Sequence, residues 1–169
     1  MKKLCLSVLF CILSAGFSSV AIAADDVGIT SVLVRKSARK MYLMNGDDIV
    51  REYTIRLGGN PVGTKIKEGD NRTPEGDYVI VSHNPQSAYH LSLKISYPTS
   101  EQIKKAAENH YSAGGDIMIH GYPNKSPTKI FKWIHKFIDW TAGCIAVTND
   151  EIEEIYVLVP DNTPIKIEP

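Results

Sequence analysis

One thiol and one imidazole have neighbours suited to covalent chemistry. The apolar run Ile117-Met118-Ile119 ends at His120-Gly121, and Asp139-Trp140-Thr141-Ala142-Gly143-Cys144 leads into the apolar Ile145-Ala146-Val147. Both side chains therefore fall at the ends of expected strands, where a rigid sheet holds a loop-exposed group in place. A thiol at its ordinary pKa is mostly protonated at neutral pH, so an imidazole must take the proton before sulfur can attack. Attack on an amide creates an oxyanion that needs N–H donors. Gly143 lets the chain turn tightly, which makes the amides of Gly143 and Cys144 the expected donors, with Thr141 supporting the turn. A cysteine and a histidine at these positions are, by spacing alone, equally compatible with a small buried thiol and a packed histidine.

The rest of the chain narrows that choice. Lys2 and Lys3 precede an apolar stretch from Leu4 to Phe17, and Ala21-Ile22-Ala23 places small residues at alternate positions. That order describes a secretory signal peptide over residues 1–23, followed by a single domain over 24–169. The implied location is the periplasm or cell envelope, with no membrane span left after cleavage. Cys5 and Cys11 lie in the leader, so Cys144 is the one thiol of the mature chain, in a compartment that favours disulfides. Without Lys2 and Lys3 the 19 basic residues fall to 17 against 19 acidic ones. That balance gives no reason to expect nucleic acid or an anionic membrane surface as partner.

The elements that must position the pair are mostly strands. Val27 to Val34 is rich in β-formers, and Met41–Met44 and Ile49–Ile55 flank Asn45-Gly46-Asp47-Asp48, a hairpin signal. Residues 57–74, rich in Gly, Asn, Lys and Pro, read as loop. Asp77 to Ser82, His90 to Ser96 and Thr163 to Ile167 read as further strands. Three short helices are expected. The first is Ser100 to His110, capped by Ser100, with Ile103, Ala106 and Ala107 inward. A second starts at Ser126-Pro127, with Ile130, Trp133, Ile134 and Phe137 at helical spacing. The third follows the capping box Thr148–Glu151, with Ile152, Ile155, Tyr156 and Val159 as its apolar stripe. The fold class is mostly β, a β-sandwich or partly open barrel with about three short helices.

Further blocks extend the pattern around Cys144. Glu68-Gly69-Asp70-Asn71-Arg72-Thr73-Pro74-Glu75-Gly76-Asp77-Tyr78, Ser96-Tyr97-Pro98, Gly114 to Gly121, and Thr141-Ala142-Gly143-Cys144 occur in that order. This series resembles the L,D-transpeptidase (YkuD-type) catalytic domain over nearly all of the mature chain. The resemblance implies an acyl transfer through a Cys144 thioester on peptidoglycan stem peptides, with His120 as base. The acyl acceptor would be another stem peptide or a wall-anchored lipoprotein. Two alternatives stand beside it. One is an endopeptidase or amidase that hydrolyses cross-links or lipoprotein attachment; the other is a catalytically degenerate wall-binding module. Two departures motivate them: the family's His before Gly-Cys is Ala142, and its frequent Arg two residues after Cys is Ala146.

Gly121 and Tyr97 are expected at the substrate cleft. His135 reads as a surface or packing residue, and joins that cleft only if the helical insertion folds over it. Trp133 and Trp140 read as core. His83 and His90 lie on separate strands. No pair of candidate ligands has the short spacing that zinc sites favour, so neither metal nor cofactor is expected.

Overall fold

The computed structural model describes residues 28–125 and 128–169, which leaves the expected signal peptide and Ser126-Pro127 outside the described residues. Eight strands run β1 (Ser31–Arg35), β2 (Lys40–Asn45), β3 (Asp48–Thr54), β4 (Gly76–Ser87), β5 (His90–Ile95), β6 (Met118–His120), β7 (Ile145–Ala146) and β8 (Pro164–Glu168). The helices are α1 (Ser100–Glu108), α2 (Lys129–Ile134) and α3 (Asn149–Leu158). The strands form one open sheet in the order β3-β2-β1-β8-β4-β5-β6-β7. The mostly β class, with three short helices among the described residues, is thus what the chain adopts.

Two devices curl this sheet without closing it. Strand β4 is twelve residues long and shifts register twice along β5, at Ile80/Ser82 and at Asn84/Ser87. Its first part pairs with β8 and its later part with β5, so it bends one half of the sheet toward the other. The chain beyond β3 then reaches the far edge, where Arg56 bridges Ala146 and Gly58 bridges Thr141. The wrapped space is filled by Val34, Met41, Leu43, Ile55, Leu57, Ile80, Leu93, Ile95, Ile119 and Ile145, all fully buried.

The hairpin between β2 and β3 turns at Gly46-Asp47, with Gly46 at φ +58°. Caps needed correction in two helices. α1 is capped by Thr99, whose side chain and Gln102 form a reciprocal box, and Ile103 is exposed where an inward position was expected. Thr99 wins over Ser100 because its extended backbone lets Oγ1 reach the Gln102 amide. α2 is capped by Thr128, and its inward residues are Phe131 and His135; Ile130, Trp133 and Phe137 face solvent. α3 has the expected Thr148–Glu151 box, and Ile152, Ile155 and Val159 are buried.

Candidate active site

Parallel pairing of β6 with β7 sets the site. Ile119 pairs with Ile145 and His120 with Ala146. Side chains alternate along a strand, so Ile119 and Ile145 enter the core while Met118, His120, Ala146 and Cys144, one step before β7, share the other face. Cys144 is half-buried, and its Sγ lies 3.5 Å from the Asp116 carbonyl oxygen. Burial raises its thiol pKa above the ordinary value. The Met118 amide, hydrogen-bonded to the sulfur, opposes that rise, Asp116 adds to it and Lys65 opposes it.

The turn before Cys144 depends on two close backbone approaches. Gly143 has φ +137°, and a Cβ there would meet the Arg72 carbonyl oxygen at 2.7 Å and Ile117 Cδ1 at 3.1 Å. A Cβ on Gly58 would meet the Asn71 carbonyl oxygen at 2.1 Å. Thr141 ties the turn together: its hydroxyl donates to the Cys144 carbonyl (2.7 Å) and accepts from the Gly143 amide (3.1 Å). The Gly143 N–H is therefore engaged by Thr141 within the turn.

His120 is 3% exposed. Its Nδ1 lies 2.7 Å from the Gly121 carbonyl oxygen, which can only accept, so Nδ1 carries the proton and Nε2 presents a lone pair. Gly121 has its own steric reason for lacking a side chain, since a Cβ would lie 2.7 Å from Asn149 Oδ1. Burial depresses the His120 pKa to about 4, against a smaller raising effect of the Gly121 hydrogen bond. At neutral pH the pair is therefore a protonated thiol and a neutral imidazole.

The insertion folds over this face. His135 is 4% exposed and accepts from Trp140 Nε1 at its Nδ1 (3.0 Å), so the neutral ring carries its hydrogen on Nε2. Its pKa falls to about 4 through burial first, then the Arg56 guanidinium, then His120. Of the two expected readings, surface or packing, His135 takes the packing one, because Thr128 caps a short helix whose far end is clamped by Arg56. Arg56 Nε donates to the His135 carbonyl (2.6 Å), and Asp139 holds Arg39 and the Leu57 amide. Tyr89 stacks on His120 with ring centroids 4.4 Å apart, and Trp140 meets the same imidazole edge-on at 5.7 Å. Trp140 is thus part of the site wall, while Trp133 is 63% exposed and not core.

Tyr97 is not brought to this face. It is buried, donates to the Ala113 carbonyl (2.8 Å), and lines a groove of about 420 Å³ with Lys65, Tyr78, Gln102 and Tyr111. Neither Cys144 nor His120 lines that groove. His83 and His90 are tied elsewhere, to Asp161 (2.7 Å) and Glu153 (2.6 Å). Sequence reasoning missed Arg56 and Ser92. Arg56 lies opposite Ala146 and is a lone charge within Tyr53-Thr54-Ile55-Arg56-Leu57, which was a usable signal. Ser92 pairs with His120, and its fully buried hydroxyl has no partner among the described residues.

The family model described as the L,D-transpeptidase catalytic domain (YkuD) matches residues 29–167. The chain belongs to this family. The putative L,D-transpeptidase YkuD of Bacillus licheniformis is 29% identical over 143 residues, 82% of this chain and 65% of that protein. The putative L,D-transpeptidase YafK of Escherichia coli K12 is 27% identical over 124 residues, 70% of this chain and 42% of that one. Among solved structures, the helical cell shape determining protein Pgp2 of Campylobacter jejuni superposes with TM-score 0.59 at 27% identity. That match covers 83% of this chain and 47% of Pgp2, so the chain spans less than half the length of two of these relatives. Family membership fixes the blocks around Cys144 as those of a catalytic domain. Within this domain Arg56 lies opposite Ala146 and its guanidinium holds the His135 carbonyl.

Among the described residues no helix is long and apolar enough to cross a membrane.

Proposed function

We propose that this chain, exported after loss of residues 1–23, is a peptidoglycan-stem hydrolase working through a Cys144 thioester. In the first step Cys144 Sγ bonds to the carbonyl carbon of an L-to-D peptide bond while His120 Nε2 takes the thiol proton. The tetrahedral intermediate collapses, the C–N bond breaks, and His120 returns the proton to the leaving amine. The Cys144 amide, next along from the engaged Gly143 N–H, is the donor assigned to the oxyanion. Water then attacks the thioester while His120 takes one of its protons; the C–S bond breaks, His120 returns that proton to sulfur to restore the thiol, and the carboxylic acid product gives its remaining proton to solvent. No cofactor enters this scheme.

The observation that carries water as acceptor is the aromatic wall around the base. Tyr89 lies against the His120 ring, Trp140 against its edge, and His120 is almost wholly covered. The second nucleophile must reach the same Nε2. The leaving amine vacates the space beside Nε2 after the first step, and under this cover a water fills it without the second peptide-binding subsite that a cross-linking amine needs. Transfer to another stem peptide or to a wall-anchored lipoprotein is the second reading, supported by the family description itself. A labelled tetrapeptide stem with excess amine acceptor separates the two. Release of shortened stems without cross-linked dimer is expected, and dimer as the main product would replace hydrolysis with transfer.

A further inference from the structure

The segment that carries His135 to the site has a second face that none of the chemistry above uses. Ile130 is 70% exposed, Trp133 63%, Phe137 68% and Ile138 52%. Four of the eleven exposed large apolar side chains among the described residues thus fall within nine positions, which makes this a patch and not scatter. Trp133 and Phe137 pack on each other with ring centroids 5.2 Å apart, so the patch is preassembled. The opposite side of the element is anchored: Phe131 meets Tyr122 and Trp140 edge-on, and His135 is held by Trp140 and Arg56. Charge is equally one-sided. From Ile117 to Ile138 the sequence holds Lys125, Lys129, Lys132 and Lys136 and no acidic residue, within a chain of zero formal net charge. Lys125, Lys129 and Lys136 are exposed, and the acidic residue that ends the run, Asp139, is engaged by Arg39.

We infer that this patch is a docking surface for an anionic phospholipid bilayer. Aromatic and branched side chains enter the headgroup boundary while the flanking lysines meet lipid phosphates, each supplying what the other lacks. A protein groove would satisfy the apolar side chains but gives no reason for a sequence run of four lysines without an acidic residue. The net charge of the whole chain conceals the feature because acidic residues elsewhere cancel it.

Flotation of the chain from Gly28 onward, which contains the whole sheet and all three helices, tests the inference. The probes are phosphatidylglycerol-rich vesicles and phosphatidylcholine vesicles. Binding to the anionic vesicles is expected, falling with added salt. Both Trp133→Ser with Phe137→Ser and Lys129→Glu with Lys136→Glu should weaken it about tenfold or more. Both lysines are exposed, so this pair tests the idea even if the aromatic pair misfolds. Failure to float with anionic vesicles overturns the inference, as does binding that ignores both salt and the lysine changes. Self-association in sedimentation, abolished by the aromatic pair and with no vesicle binding, would assign the patch to a second copy instead.

Discussion

Cys144 and His120 share a face, yet neither is charged at rest. The thiol is pushed up and the imidazole down to about 4, both mainly by burial. In the proposed mechanism proton transfer therefore accompanies attack and does not precede it. The alkylation rate of Cys144 should climb steadily between about pH 5 and 8, and a plateau across that range would indicate a preformed thiolate–imidazolium pair. Gly143 supports a second prediction. An alanine there must adopt φ +137° and drive its Cβ into the Arg72 carbonyl, so Gly143→Ala should lose about 1–3 kcal/mol or more in denaturant unfolding. The turn that carries Cys144 was legible because Gly-Cys before an apolar run has a direct physical reason. Which amide is free was not legible, since Thr141's grip on the Gly143 N–H exists only in the folded turn.

At the scale of elements, the insertion was readable as helical but not in its facing. Its apolar spacing pointed Ile130, Trp133 and Phe137 inward, whereas clamps from Arg56 and Trp140 turn Phe131 and His135 inward instead. A period of apolar residues gives a helix its stripe, but here both faces are apolar and only distant partners select between them. Trp140→Phe keeps an aromatic ring, though a smaller one, and removes the Nε1 hydrogen bond to His135. Thermal unfolding should then show a loss of about 1 kcal/mol, with Cys144 alkylation slowed if His135 supports His120. Unchanged stability would mean that packing alone holds the insertion. Ser92, opposite His120 with an unpartnered hydroxyl, predicts that Ser92→Ala is neutral or mildly stabilising in the same measurement.

Across the whole molecule, the sheet joins two histidines buried in neutral form to its far edge. Both sit well below the ordinary imidazole value, at about 4, so the unfolded chain binds more protons than the native one between roughly pH 6.5 and 4. Stability should be retained above about 6.5 and fall through that window, and Tm measured against pH checks the sign. The strand pattern and hairpin gave away the mostly β class, because alternation and Asn-Gly act locally. Near-closure of the sheet was beyond such signals: it rests on bridges from Arg56 to Ala146 and from Gly58 to Thr141, far apart in sequence. The central claim is that Cys144 is the nucleophile held on this frame. Its most direct test is turnover of a labelled tetrapeptide stem by wild type and by Cys144→Ala, matched for fold by circular dichroism. A fall of about a thousandfold or more is expected; a variant that keeps activity close to wild type would contradict the account.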